Sequence, residues 1–395
     1  MTVADLRSAK KPDRVYYIDW LRILAVLLLI PFHTARIFDI WEPFYAKNAE
    51  TSAALSYGII GFMNSWHMPL LFLLAGSSTW FALGFRNGGQ YVGERFKRLV
   101  IPLVFGVLVI VPPQAYLARM QNQNYADSYW QFLPDYFQVR GDLSGYTGLF
   151  TLGHLWFVLL LFFFALIALP LFLYLKGDSG RQFISRLASF CDRPGMILLL
   201  FFPILISLAL PDLGGKIPFY YITFFIYGFI LMADARFRDI LERNRRPALV
   251  LAIATSIGAL LLSVTGYNPP RFSIGDIAFA TVRTSCTWSW LLALVGLGQR
   301  YLNVNHRWLP YASQAAYPFY ILHQTVIVII GYYVVQWNIP LPAKFLIIAT
   351  GALVATLLVY DLLVQRTNVT RFLFGMRPRT SAPRLAKPSA ADYAA

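Results

Sequence analysis

Charged side chains are scarce in this sequence. Asp, Glu, Lys and Arg make up only 13% of its 395 residues, whereas hydrophobic residues make up 57%. Soluble domains carry about 25% charged residues, so this composition excludes a soluble globular protein. Apolar runs of about 20 residues, long enough to cross a bilayer as helices, recur from Tyr16 to Val364. The sequence therefore predicts an all-α polytopic membrane protein.

Cysteine is also scarce, since only Cys191 and Cys286 occur. Cys191 falls in a predicted cytoplasmic loop and Cys286 inside a predicted helix, so the two thiols are not expected to meet. A disulfide framework and a cysteine-based metal site are therefore excluded.

The apolar runs predict about ten transmembrane helices. They lie near residues 16–38, 56–84, 99–118, 152–175, 195–211, 218–234, 248–266, 276–298, 312–335 and 343–364. They divide the chain into a cytoplasmic N-terminal segment (1–15), a transmembrane domain (16–364) and a basic cytoplasmic tail (365–395). The tail is rich in Pro, Ser and Ala and is expected to be disordered.

Acidic residues are outnumbered by basic ones, 19 to 34, which gives a formal net charge of +15. In a soluble protein this excess would suggest a nucleic-acid partner, but in a membrane protein it is a matter of topology. With the N-terminus in the cytoplasm, 25 Lys and Arg fall in cytoplasmic segments and six in the opposite loops or at their borders. Because a lost span would swap the sides of all later loops, the asymmetry favours ten spans with both termini cytoplasmic. The bilayer is the expected partner, and nucleic acid is not.

Ionisable side chains inside a span are costly, so they are the first candidates for a site. The first span holds Asp19, Arg22 and His33, which at about 100° per residue lie within roughly 60° of one another on one helix face. Arg22 and His33 are about 16 Å apart along the helix axis. A structural interpretation competes with a functional one: Asp19 and Arg22 form an i,i+3 pair, and His33 is a hydrogen-bonded packing residue.

Four of the five histidines fall within predicted spans, namely His33, His67, His154 and His323. Taken singly, each is a candidate ligand, general base or core residue. None has a short metal-ligand spacing such as H-x-x-x-H, so no metal site is predicted.

Three more arginines are candidates for binding. Arg95 and Arg98 stand three residues apart at the cytoplasmic end of the third span, where two guanidinium groups on one helix face can hold a phosphate. Topology alone also places basic residues there. Arg283 lies inside the eighth span and requires an anionic partner, either a ligand carboxylate or an acid such as Asp276.

Taken together, these motifs carry a resemblance. They are Arg22-x10-His33, Arg95-x-x-Arg98, Gly153-His154-Leu155-Trp156-Phe157 and Tyr317-Pro318-x-Tyr320-x-x-His323. In order, spacing and helical setting the chain resembles the membrane-bound acyltransferase 3 family from about Val15 to Val364. Its Asp19-Trp20-Leu21-Arg22 opening and its His67-Met68-Pro69 stretch most resemble the glucan biosynthesis protein C branch, which succinylates periplasmic glucans.

The resemblance implies an acyl-CoA-dependent O-acyltransferase in a bacterial inner membrane. An acyl group, succinyl before acetyl, would pass from cytoplasmic acyl-CoA to a hydroxyl of a periplasmic glycan such as an osmoregulated glucan. Acyl-CoA would be a co-substrate, with no cofactor bound permanently. His33 would be the general base, or alternatively the carrier of an acyl-histidine intermediate.

The resemblance also implies roles for the other candidates. Asp19 would orient Arg22, and Arg22 would bind or polarise the donor. Arg95 and Arg98 would bind the CoA phosphates. The substrate contacts would come from His67, His154, His323 and Arg283, with Arg283 clamping a succinyl carboxylate.

Other functions stay open on the sequence. An acetyltransferase of O-antigen or another surface polysaccharide fits the same motifs. A transporter or flippase would use the buried charges to line a path, and a haem redox protein would use paired histidines as axial ligands. A homo-oligomer is also compatible with the sequence.

Overall fold

The computed structural model describes residues 15–41, 43–140, 143–213 and 215–379, so the predicted N-terminal segment lies almost wholly outside the described residues. Within these ranges the chain forms helices, one isolated bridge between Leu213 and Lys216, and no β-strand. The prediction of an all-α fold is confirmed. The helices are α1 (Tyr16–Arg36), α2 (Ala53–Ala82), α3 (Gly88–Gln123), α4 (Tyr129–Tyr136), α5 (Gly153–Ile167), α6 (Leu169–Lys176), α7 (Asp178–Asp192), α8 (Met196–Ser207), α9 (Pro218–Ala233), α10 (Arg236–Val264), α11 (Ile274–Tyr301), α12 (Leu309–Val334), α13 (Leu341–Val364) and α14 (Asn368–Leu373).

Six of these helices are long and apolar enough to cross a membrane: α1, α2, α3, α10, α12 and α13. Helices α5 and α6 add a seventh if they form one span, bent by 47° at the break between them. Pro170 lies just past this break and lacks the N–H that a continuous helix needs, which explains the bend. The chain is thus a multi-pass membrane protein. Each of the ten predicted spans is helical, but the count of ten crossings and the cytoplasmic termini stay predictions.

Helix α1 packs against α2, α11, α12 and α13. Helix α12 is the most buried of the candidate spans, because 72% of its apolar 18-residue stretch is buried. In α10 only 11% of the corresponding stretch is buried. The polar residues of α12 therefore face protein, whereas the described chain leaves most of the apolar stretch of α10 uncovered.

Helices α2 and α9 touch through their backbones. A Cβ atom added at Gly76 would lie 1.8 Å from the carbonyl oxygen of Phe225, and one added at Gly228 would lie 1.9 Å from that of Leu73. The Ser77 hydroxyl donates to the Gly228 carbonyl oxygen at 3.1 Å. Small residues at such crossings let membrane helices approach closely. This contact fixes the position of α2, which carries His67 and Ser78.

Four short π-helical segments interrupt the long spans. They are Ser56–Gly61 in α2, Phe96–Val100 and Gly106–Ile110 in α3, and Tyr360–Val364 in α13. Single π turns inside α-helices are frequent at functional sites. The segment Phe96–Val100 contains Arg98, so the angle between Arg95 and Arg98 differs from that in a regular α-helix.

The chain beyond Val364 departs from the expected disordered tail. Asn368–Leu373 is helical, and the buried Arg371 donates from Nε to the carbonyl oxygen of Arg377 at 2.7 Å. The Phe374 ring is buried against Phe105, with ring centroids 5.4 Å apart. Residues 365–379 are therefore folded onto the bundle, and the buried Phe374 ring is the apolar anchor. The basic composition of this segment did not predict it. Residues 380–395 lie outside the described residues.

Candidate active site

A cavity of about 690 Å³ opens among α1, α2, α3, α5 and α12. Its polar end is lined by the side chains of five arginines, Arg22, Arg86, Arg95, Arg98 and Arg377, together with Glu94. Its other end is lined by apolar and aromatic side chains, among them Val26, Leu71, Phe157, Leu161 and Tyr320. The cavity thus combines a strongly cationic mouth with an apolar interior.

Arg22 is held on the cavity wall by two partners. Its guanidinium donates to the Asp19 carboxylate at 3.0 Å and to the Ser78 hydroxyl at 2.7 Å. The structural and the functional interpretation of the sequence both predict the pair of Asp19 and Arg22. Ser78 lies on α2, so its hydrogen bond adds a contact from a second helix. Arg22 is therefore oriented by two helices while its side chain remains 31% exposed toward the cavity.

Glu94 joins two arginines of the mouth. Its carboxylate lies 2.5 Å from Arg86 Nε and 3.1 Å from Arg98 Nε. Arg95 is placed differently, because its guanidinium lies over the Tyr91 ring at 4.8 Å. One carboxylate thus partly neutralises two of the cations, and the mouth keeps a net positive charge.

The folded C-terminal segment forms one wall of the same mouth. Gly375, Met376 and Arg377 line the cavity. Gly375 has a φ of +68°, and a Cβ atom there would lie 2.8 Å from the Arg98 carbonyl oxygen and 3.0 Å from the Tyr317 ring. Only glycine fits this backbone conformation and close approach. Arg377 therefore faces Arg98 across the entrance.

Three histidines meet beyond the apolar end of the cavity. The ring of His323 on α12 lies 5.2 Å from that of His33 on α1 and 5.0 Å from that of His154 at the start of α5, centroid to centroid. We call these three residues the histidine cluster. His67 lies apart from it, on the other side of Phe32, whose ring contacts both His33 and His67.

Hydrogen bonds to backbone carbonyls orient the imidazoles. His154 Nε2 donates to the Ile321 carbonyl oxygen at 2.9 Å, and His323 Nδ1 donates to that of Tyr320 at 2.6 Å. Because a carbonyl oxygen only accepts, these nitrogens carry the protons, and His154 Nδ1 and His323 Nε2 are left as acceptors. Both acceptors and His33 Nδ1 are buried without a hydrogen-bond partner among the residues that the structure describes. The cluster can therefore accept a proton from a bound hydroxyl.

Loops cover the cluster on the side away from the cavity mouth. The Phe44 ring stacks on His33 at 6.2 Å, and Tyr146 packs on Phe44 at 6.1 Å. The Tyr45 hydroxyl donates to the Ser144 carbonyl oxygen at 2.8 Å, which ties the two loops together. Tyr146, from the aromatic-rich connection after α3, thus covers the site, whereas Trp130 of the same connection is 77% exposed.

Arg283 lies away from both the cavity and the histidine cluster. Its exposed guanidinium lies over the Phe279 ring at 5.6 Å, and it is not among the residues that line the cavity. The alternative partner Asp276 instead accepts a hydrogen bond from the Phe272 N–H at 2.8 Å. The structure therefore gives the proposed carboxylate clamp no support.

Residues 15–41, 43–140, 143–213 and 215–379 contain no group of three or more His, Cys, Asp or Glu side chains arranged to hold a metal ion. Within the described residues, the three imidazoles of the histidine cluster are therefore not arranged as a metal site either.

Comparison with known families decides the class. A family profile described as an acyltransferase domain, that of acyltransferase 3, matches residues 15–363. The chain belongs to this family. The resemblance inferred from Arg22-x10-His33 and Arg95-x-x-Arg98 is thereby confirmed, and the protein is a membrane acyltransferase.

Several curated relatives of this acyltransferase are named glucans biosynthesis protein C. Glucans biosynthesis proteins C of Salmonella paratyphi A, Salmonella agona and Salmonella dublin are each 21% identical to it over 389 residues. Each alignment covers 94% of this chain and 97% of the relative. No solved structure matches.

Several residues that line the cavity were not predicted as site residues. Arg86 follows the end of α2 and Arg377 lies in the basic tail, so topology alone accounts for basic residues at both positions. Tyr317 was singled out only as part of the family motif that ends at His323, and Ser78 is a polar residue within an apolar span. In the structure the Tyr317 hydroxyl oxygen is buried beside the cavity without a hydrogen-bond partner among the described residues.

Proposed function

We propose that this acyltransferase moves an acyl group from cytoplasmic acyl-CoA to a hydroxyl of a periplasmic glycan, with His33 as the general base. The observation that carries the proposal is the cavity, whose cationic mouth leads to an apolar end beside the histidine cluster. A donor with a phosphate-bearing end and an uncharged arm matches this distribution of charge.

The mouth suits the nucleotide end of coenzyme A. Arginine forks bind phosphate oxygens through two parallel hydrogen bonds. Arg95, Arg98 and Arg377 line the entrance from different parts of the chain, and Arg22 stands deeper on α1. The separation of about 16 Å along α1 between Arg22 and His33 is comparable to the length of a pantetheine arm. The thioester would then lie near His33 while the phosphates remain at the mouth.

The chemistry follows general-base catalysis. The oxygen of the acceptor hydroxyl attacks the thioester carbonyl carbon, and a ring nitrogen of His33 takes the hydroxyl proton. The carbon–sulfur bond breaks, the ester forms, and the CoA thiolate receives the proton from the His33 imidazolium. His323 and His154 have unprotonated nitrogens beside His33 and would accept hydrogen bonds from neighbouring hydroxyls of the acceptor sugar.

The choice of acceptor rests on the relatives. Their name, glucans biosynthesis protein C, supports a glucan acceptor for this chain as well. Succinyl is the first donor to test and acetyl the second, in a bacterial inner membrane. An O-antigen or another surface polysaccharide is the alternative acceptor.

The test is release of free CoA thiol by purified protein in detergent. Acetyl-CoA and succinyl-CoA are compared, each with and without a periplasmic glucan. The variants are His33→Ala and, as a matched control, His306→Ala, because His306 is exposed and outside the cluster. We expect acceptor-dependent release that His33→Ala abolishes and His306→Ala preserves, with CoA binding retained in both.

The other outcomes separate the alternatives. An acylated His33 peptide after acid quenching would replace the general base by a covalent intermediate. CoA binding without release from either donor would point to another acyl group or acceptor. Absence of CoA binding would overturn the proposal and favour a transporter.

A further inference from the structure

The apolar end of the cavity stops short of the histidine cluster. None of the four histidines in the spans lines the cavity, whereas Tyr320 does. Tyr320 and His323 are three residues apart on α12, so they are neighbours on one face of the helix. Tyr320 therefore stands between the cavity and the cluster.

The Tyr320 ring is held in this position by contacts on several sides. Its centroid lies 5.6 Å from the His154 ring, 5.7 Å from the His323 ring and 5.6 Å from the Phe157 ring. Its hydroxyl donates to the carbonyl oxygen of His154. The side chain is only 4% exposed. A ring held by three aromatic neighbours and a hydrogen bond forms a defined wall rather than a loose surface.

We propose that the Tyr320 ring forms the end wall of the donor cavity beside the histidine cluster and thereby limits the size of the acyl group that can bind with its thioester next to His33. Tyr320 is thus a specificity-determining residue, and this inference rests on the proposed function. Short acyl groups fit between the ring and the side chains of Val26, Leu71 and Phe157, which line the same end. Each additional methylene must displace the ring from its packed position.

The test measures kcat/KM for a series of straight-chain acyl-CoA donors, acetyl, butyryl, hexanoyl and octanoyl, with one glucan acceptor. Tyr320→Leu removes the ring, Tyr320→Trp enlarges it, and Tyr320→Phe keeps it but loses the hydrogen bond. Tyr317→Leu is the matched control, because Tyr317 lies on the same helix and lines the same cavity but has no ring contact with the cluster among the described residues. Size-exclusion chromatography and CoA binding show which variants are folded.

We expect Tyr320→Leu to raise the ratio of kcat/KM for hexanoyl-CoA to that for acetyl-CoA by about tenfold, since one methylene in a pocket changes discrimination by that order. Tyr320→Trp should shift the ratio in the opposite direction, so the proposal remains testable if the leucine variant does not fold. Tyr320→Phe and Tyr317→Leu should leave the ratio within about twofold of the wild-type value, because both variants keep an aromatic ring at position 320.

An unchanged chain-length profile in folded, active Tyr320→Leu or Tyr320→Trp would overturn the inference and leave the proposed function intact. An equal shift in Tyr317→Leu would also overturn it, because the effect would then belong to the cavity as a whole. Wild-type protein that binds no acyl-CoA would remove the proposed function itself, and this inference with it.

Discussion

At the scale of single residues, the arginines of the cavity mouth differ in how much of their charge is available. Arg86 and Arg98 share the Glu94 carboxylate, and Arg22 is paired with Asp19. Arg95 makes no ion pair within the part of the chain that the structure describes, and it rests on the Tyr91 ring. Its guanidinium edge is therefore available as a phosphate ligand of the mouth.

Arg95→Ala is expected to raise KM for acyl-CoA by about tenfold or more with little change in kcat, since a hydrogen bond to a charged group is worth about 1.5 to 3 kcal/mol. Steady-state kinetics at saturating acceptor measures both constants. Lys97→Ala is the control, because Lys97 is exposed and does not line the cavity. A fall in kcat at unchanged KM would mean that Arg95 acts on the reaction and not on donor binding.

Much of this site could be predicted from the sequence, because helical periodicity places Asp19, Arg22 and His33 on one face and spacing relates Arg95 to Arg98. Arg86 and Arg377 could not be predicted, since basic residues near membrane edges are expected from topology alone. Their convergence depends on contacts between distant segments, such as the approach of Gly375 to the Arg98 carbonyl.

At the scale of helices, each of the ten apolar segments that hydropathy located is helical in the structure, but their irregularities were not predicted. Two examples are the π-helical segment Phe96–Val100 and the bend between α5 and α6. Both depend on local hydrogen bonding, which hydropathy does not report. The contact of α2 with α9 is likewise invisible to periodicity, although it decides where Ser78 meets Arg22.

Gly76→Ala is expected to destabilise the fold by about 1–3 kcal/mol, because an added methyl group forces two packed helices apart. The midpoint of thermal unfolding in detergent, followed by circular dichroism, should fall. Gly93→Ala is the matched control, since a Cβ atom at Gly93 meets nothing within 4 Å. An unchanged midpoint in Gly76→Ala would show that α2 and α9 separate without cost.

At the scale of the whole molecule, the cavity mouth and the charge asymmetry agree. Arg86, Arg95, Arg98 and Arg377 all belong to segments that the distribution of Lys and Arg assigns to the cytoplasm. A donor synthesised in the cytoplasm would thus meet the cationic end of the cavity first, and the histidine cluster would lie toward the opposite face.

Cysteine labelling tests this orientation. Trp130→Cys and Val369→Cys place single thiols at side chains that are 77% and 70% exposed, in segments predicted to lie on opposite sides. A membrane-impermeant maleimide should label the first in intact cells and the second only after permeabilisation. Background should be low, because Cys191 and Cys286 are buried and burial raises the pKa of the Cys191 thiol to about 11, which keeps it protonated at neutral pH. Equal labelling of both sites in intact cells would refute the ten-span topology.

The folded C-terminal segment links the end of the chain to the donor cavity. Ending the chain after Gln365 removes α14, Gly375 and Arg377, whereas ending it after Arg379 keeps them. Because Arg377 and Gly375 line the mouth, we expect the first truncation to raise KM for acyl-CoA by about tenfold or more, as for loss of a charge-assisted contact. The second should leave KM unchanged.

A point variant separates donor binding from folding in this experiment. Arg377→Ala keeps the Phe374 anchor and the hydrogen bond from Arg371 to the backbone of residue 377, so the segment should stay in place. We expect it to raise KM less than the first truncation does, with an unchanged unfolding midpoint. If the chain ending after Gln365 bound acyl-CoA as tightly as the full chain, the segment would be only a covering of the mouth, and Arg22, Arg95 and Arg98 would bind the donor without it.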